Sequence, residues 1–124
     1  MSGEELFPGF DKQLCEGLEI KLKRADKKNN SISLSLSGSI DAYNSDCFWQ
    51  KMTKVVEAGF VKLTFEIRSI STISSTGVAT FLRLQGEATR MGGEITLVGV
   101  PPKIKGVFDL LCLGEVFRCI ETDE

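Results

Sequence analysis

In a first strand from Leu18 to Arg24, and again from Ser31 to Ser37, apolar and polar residues alternate. Leu18, Ile20 and Leu22 stand against Glu19, Lys21 and Lys23; Ile32, Leu34 and Leu36 stand against Ser31, Ser33, Ser35 and Ser37. A period of two buries one face of a strand and leaves the other in solvent. Asp26-Lys27-Lys28-Asn29-Asn30 between them is a polar turn, so the two runs pair as a hairpin with a solvated serine face. The period then switches. Phe48, Met52, Val55 and Val56 fall at i, i+4, i+7 and i+8, which predicts a helix, with Ser45 or Asn44 placed to cap it and Gly59 to end it. Val61, Leu63, Phe65 and Ile67 return to period two as a third strand, followed by a polar stretch from Ser69 to Gly77. A second helix carries a stripe of Val78, Phe81, Leu82, Ala88 and Met91 and stops at Gly92-Gly93. Ile95 to Val100 is almost wholly apolar, as expected of a strand covered on both faces. Pro101-Pro102 opens a third helix with Ile104, Val107, Phe108 and Leu111 on one side, and Gly114 ends it. Val116 to Ile120 has the makings of a short last strand. The order β-β-α-β-α-β-α, with a final β, predicts a single α/β domain with a mixed sheet. Residues 1–17 have no clear period; they read as an arm, or as a segment anchored by Leu6, Phe7 and Phe10.

At 124 residues the chain has the length of one domain, and a formal charge of −2 gives no basic excess of the kind nucleic-acid binding requires. Histidine is absent, which removes Ser-His-Asp and Cys-His catalysis and His-ligated zinc. Cys15, Cys47, Cys112 and Cys119 show no C-x-x-C spacing, and the last three sit among apolar residues and read as small core hydrophobes. No cofactor or metal is expected. The first residues have neither a basic region nor a long apolar run, so no signal peptide is expected, and no stretch reaches the roughly 20 apolar residues of a membrane span. The simplest assignment is a soluble, reduced, cytoplasmic protein.

The informative stretch is Ile73-Ser74-Ser75-Thr76-Gly77-Val78-Ala79, between a strand and a helix. Consecutive hydroxyls at a helix start have two readings. One is capping of free helix N–H groups. The other is phosphorylation, because the electropositive helix end stabilises an added anion. Phosphate would bring about −1.5 to −2 charges to that point. A nucleophilic enzyme is disfavoured, because no base stands at a motif spacing that would activate a serine. Two further features carry a structural and a binding reading each. Trp49 beside Phe48 fits the rim of the core or a partner anchor, and Arg83 and Arg90 fit a solvated face or an acidic partner.

Four segments together resemble the STAS family, the domain shared by sulphate transporters and bacterial anti-sigma factor antagonists. Leu36-Ser37-Gly38-Ser39-Ile40-Asp41 is similar to its L-x-G-x-hydrophobic-D strand end, and Leu63 to Gly77 to its hydrophobic strand and D-S-S/T-G loop. Arg90 to Ile95 resembles its helix end, double glycine and strand, and Pro102 to Phe117 its last helix and closing glycine and phenylalanine. The resemblance spans about residues 18–121 and sets residues 18–124 as the domain behind a 1–17 arm. It implies a mixed sheet of four or five strands with helices mainly on one face, and a non-catalytic protein. Stand-alone members work by partner switching: they capture an anti-sigma factor that is also a GHKL-type serine kinase, phosphorylation of a loop serine ends the capture, and a PP2C-type phosphatase restores it. By position the phosphorylated serine falls on Ser75, with Ser74 and Thr76 as alternatives. Asp41, Ser74, Ser75, Thr76 and Gly77 fall on the partner-binding positions. Where the family usually has Asp before that serine, this chain has Ser74. The alternative the resemblance offers is a non-catalytic subunit of a larger signalling scaffold or lipid-transport ABC complex. Neither nucleic acid nor direct membrane insertion is expected, and a homodimer is left open.

Overall fold

A computed structural model of the protein describes residues 6, 7, 10 and 14–121. The elements are β1 (Leu18–Asp26), β2 (Ser31–Ile40), α1 (Ser45–Glu57), β3 (Lys62–Ile73), α2 (Ser75–Arg90), β4 (Glu94–Val98), α3 (Pro102–Leu110) and β5 (Arg118–Ile120). They form one five-stranded sheet in the order β1-β2-β3-β4-β5. The β1–β2 hairpin is antiparallel and every later pairing is parallel. Parallel strands laid down in sequence order by right-handed crossovers put each connecting helix on the same side of the sheet. α1, α2 and α3 therefore share one face of the mixed sheet, as the family resemblance implies. β4, which ends at Val98 with Glu94 exposed and Thr96 half-buried, is not covered on both faces, contrary to what its apolar run predicts.

The core lies between that face and the helices. Leu63 pairs with Ile95 and Phe65 with Leu97 at the centre of the sheet, and all four are buried. Phe65 meets Phe48 of α1 and Phe81 of α2 with ring centroids 5.7 and 5.6 Å apart, and Phe81 meets Phe48 at 5.3 Å. Phe117 extends the cluster, touching Phe81 and Phe108. The turn between β1 and β2 is held by Asp26, whose carboxylate accepts from the Lys28 and Asn29 amides. The outer sheet face carries charge pairs such as Lys23–Glu66 at 2.7 Å.

Several expectations are corrected. β3 does not stop near Ile67 but continues through Ile73, because β2 runs beside it as far as the Ile40–Ile73 pair and Ile70 is buried. The serine face of β2 is not uniformly wet: Ser33 is buried. In α2 the buried stripe runs through Val78, Phe81, Leu84 and Ala88, while Leu82 and Met91 are exposed. In α3 only Ile104 and Phe108 are buried, and Leu111 is exposed just past the helix end. Asn44 stands at the start of α1, but its side chain makes no capping bond. The cysteines differ most. Cys15 and Cys47 form a disulfide, so Cys47 is not a free core thiol and this pair is not reduced. Cys112 lies in the turn after α3 and Cys119 on the edge strand β5, and both are exposed thiols. Partial desolvation on the sheet edge still pushes the Cys119 thiol pKa up, against the opposing pull of Lys105.

No helix among the described residues is long and apolar enough to cross a membrane. Gly86 sits in the exposed middle of α2, and a methyl group added there meets nothing within 4 Å. Gly86→Ala should therefore stabilise the domain by about 0.5–1 kcal/mol through helix propensity alone. Urea denaturation would show this as a higher midpoint at unchanged slope.

Candidate functional site

The end of β3 and the start of α2 meet at Ser74. Its backbone is extended (φ −87°, ψ 171°), and its hydroxyl accepts a hydrogen bond from the Gly77 amide at 3.2 Å. Capping thus occupies Ser74. Ser75 and Thr76 follow in the first turn of α2, and both are exposed. That turn contains no acidic residue, so nothing of its own neutralises the positive end of the helix. Gly77 is buried rather than exposed. A Cβ there would come within 2.8 Å of the Ile40 carbonyl oxygen and side chain and 2.9 Å of Ile73, so a glycine is what lets α2 begin this close to β2.

The second half of the site is the corner between β2 and α1. The Ser74 amide donates to the Ile40 carbonyl at 2.9 Å, which fixes the hydroxyl-bearing turn beside that corner. Asp41 follows at once. Its Oδ1 accepts from the Tyr43 and Asn44 amides at 2.9 and 3.2 Å, and its Oδ2 accepts from Ser39 Oγ at 3.3 Å. Asp41 is therefore a turn aspartate bonding its own backbone and also a half-buried carboxylate beside the Ser74 turn. Asn44, fully buried, explains its own failure to cap α1. Its Oδ1 accepts from the Asp41 amide, and its Nδ2 donates to the carbonyls of Ser39 and Glu16.

One surface residue at this corner escaped the sequence reading. Tyr43, the only tyrosine in the chain, is 90% exposed. With Glu16, Gly17 and Asp41 it lines an open hollow of about 300 Å³. A lone aromatic in a polar strand-to-helix loop was the available signal. Trp49 lies elsewhere, at the rim between α1 and α2. Arg83 stacks on its ring 4.1 Å from the centroid, so the pair partly satisfies itself. Arg90 pairs with Glu87 at 2.9 Å, and that hydrogen bond holds the Glu87 carboxyl below its ordinary range. No cluster of three or more His, Cys, Asp or Glu that could hold a metal exists among the described residues.

Comparison with known proteins places this architecture. The STAS domain family model matches residues 23–124, and the chain belongs to that family. It is 23% identical over 90 residues to the anti-sigma-B factor antagonist of Bacillus subtilis, covering 73% of this chain and 82% of that protein. The fold is shared with an anti-sigma factor antagonist from Mycobacterium paratuberculosis at 18% identity and a TM-score of 0.72, covering 86% of this chain and 87% of the other. It is shared also with the Bacillus cell fate determinant SpoIIAA in its phosphorylated form, at 19% identity and a TM-score of 0.67, covering 86% and 93%.

Proposed function

We propose that this chain is an anti-sigma factor antagonist acting in the cytoplasm. It captures an anti-sigma factor that is also a GHKL-type serine kinase, phosphorylation of Ser75 ends the capture, and a PP2C-type phosphatase restores it. The partner-facing residues are Asp41, Ser74, Ser75 and Thr76, with Gly77 setting the approach of α2 from beneath. The carrying observation is the geometry of Ser75: an exposed hydroxyl in a first helical turn without acid, tied to the Asp41 corner by the Ser74–Ile40 hydrogen bond. The similarity to the B. subtilis antagonist supports this reading.

The chemistry follows from charge. The bare hydroxyl lets a partner pack against the turn. Phosphate is tolerated by the folded domain, since free N–H groups and the helix end favour an anion. It is not tolerated by an acidic partner surface, which meets like charge and must give up hydration. Ser74 as the cap also selects among the hydroxyls: it is engaged with Gly77, whereas Ser75 projects into solvent.

Ser75→Asp should weaken capture of the cognate kinase by about tenfold or more, since like charges in a contact cost several kcal/mol. Ser75→Ala should bind and resist modification. The measurement is calorimetric binding, together with mass spectrometry of the 69–83 peptide after incubation with kinase and ATP. Phosphate found only outside residues 74–76, or equal affinity of wild type and Ser75→Asp, would defeat the proposal. In the same assay Ser74→Asp, which restores the family's usual carboxylate, should speed phosphorylation.

A further inference from the structure

Phe7, Phe10 and Cys15, ahead of β1, are held against α1 and its C-terminal end, and this strap leads directly to the candidate site. Phe7 packs edge-on against Phe60, beyond the C-terminal end of α1, with ring centroids 5.8 Å apart. Phe10 lies under the Lys51 ammonium, 4.5 Å from its ring centroid, and its carbonyl accepts from Lys51 Nζ at 2.5 Å. Cys15 is bonded to Cys47 in the first turn of α1. Phe7, Phe10 and Cys15 therefore meet the helix and its end in the reverse of chain order. Cys47 and Lys51 are four residues apart, so both grips lie on one helical face. From Cys15 the chain passes to Glu16, whose carbonyl accepts from Asn44, and to Gly17, whose carbonyl accepts from the Ser39 amide at 2.9 Å. Asn44 in turn holds the Asp41 amide, and Ile40 holds Ser74. An unbroken run of bonded groups thus joins the disulfide to the hydroxyl turn.

We propose that Cys15–Cys47 is a thiol–disulfide switch, in which a dithiol reductant opens the bond, frees the strap from α1 and loosens the corner that carries Asp41 and supports Ser74. Cys47 keeps part of its surface in solvent, which gives an attacking thiolate an approach. The reductant's first thiolate bonds to Cys47 sulfur and the Cys15 thiolate leaves. The reductant's second thiolate then displaces Cys47 sulfur and closes the reductant's own disulfide. Two electrons pass from the dithiol to the protein, and the two thiol protons end on Cys15 and Cys47. In the reducing cytosol where the proposed function places the chain, a disulfide is transient and catalytic or redox-sensing rather than a permanent staple. The switch rests on the functional reading for its cytosolic setting and for the loosened corner being the partner-facing one.

The test uses the wild-type chain with and without dithiothreitol. Cys112 and Cys119 are free, so thiol titration should find two groups before reduction and four after it. In the reduced form, amide exchange at Ser39 and Asp41, whose N–H groups are held by the strap and by Asn44, should be faster by about tenfold or more, as for a locally opened segment. Phe65 and Leu97 in the central strands should keep their protection. A Cys15→Ser, Cys47→Ser double variant should behave like the reduced wild type and ignore dithiothreitol. Unchanged exchange at Ser39 and Asp41 in a sample that titrates four thiols overturns the switch, as does an equal loss of protection at Phe65 and Leu97, which would mark global destabilisation. Kinase binding in the oxidised form separates the two ideas. If Ser75→Asp binds as well as wild type, the functional reading fails, while the exchange result alone still decides the switch.

Discussion

Phe81→Ala should cost about 3–5 kcal/mol of folding stability, the range for emptying a buried aromatic site. The ring is 1% exposed and touches Phe48, Phe65 and Phe117, so it joins α1, the central strand β3 and the segment ahead of β5 to α2. Those neighbours belong to three different stretches of chain, and no single movement closes the gap left by the ring. A well-filled core collapses poorly around such a void. Domains of this kind have about 5–15 kcal/mol in total, so the variant should retain a transition but melt far earlier. Leu82→Ala is the matching control. Leu82 is 36% exposed on the outer side of the same helix, and its truncation should stay within about 1 kcal/mol. Guanidinium denaturation of both variants decides the matter. Similar losses would mean that the aromatic cluster is not where the helices are locked to the sheet.

The contrast between Phe81 and Leu82 also shows how far the sequence is legible. The element order follows from period, and the β1–β2 hairpin from period together with the polar turn at Asp26–Asn30. The width of a stripe does not. Leu82 stands beside Phe81 in the sequence and shares its hydrophobicity, yet the helix's rotation about its axis, set by Phe48 and Phe65 from other elements, turns Leu84 inward instead. The extension of β3 through Ile73 was hidden for a similar reason. Ser69, Ser71 and Thr72 look like loop, but β2 supplies ladder partners to a polar edge regardless of its side chains. At the site, the hydroxyl run and the position of Ser75 were readable. The role of Asn44 was not, because its three bonds reach residues that come together only when the Glu16 segment folds back over the corner. The disulfide was unreadable on the same ground. Cys15 and Cys47 are 32 residues apart, and spacing carries no information about a strap that doubles back along a helix.

Where β2 meets the segment ahead of β1, a single methyl group should do severe harm. Gly38 has φ +106°, and a Cβ added there would lie 2.2 Å from the Gly17 carbonyl oxygen. The two faults compound. An L-residue held at that φ carries about 1–3 kcal/mol of strain. The clash is with backbone, so no side chain can swing aside to relieve it. Gly17 must move instead, and it accepts from the Ser39 amide while β1 begins at the next residue, opposite Gly38 itself. Losing that hydrogen bond adds about 1 kcal/mol, and Gly38→Ala should lower the melting temperature by about 10 °C or more. The injury is also directional. Gly38 lies between β1 and β3, pairing Leu18 on one side and Ile70 on the other, and it leads within three residues to Asp41. Displacing Gly17 pulls the Glu16 carbonyl from Asn44 and so loosens the Asp41 amide. Gly38→Ala should therefore speed exchange at Asp41 even well below its melting temperature, whereas Phe81→Ala, which destabilises the domain as a whole, should not single that corner out. Calorimetric melting paired with site-resolved exchange tests both halves. Normal protection at Asp41 in a Gly38→Ala protein that melts early would show that the strap and the corner are not mechanically joined.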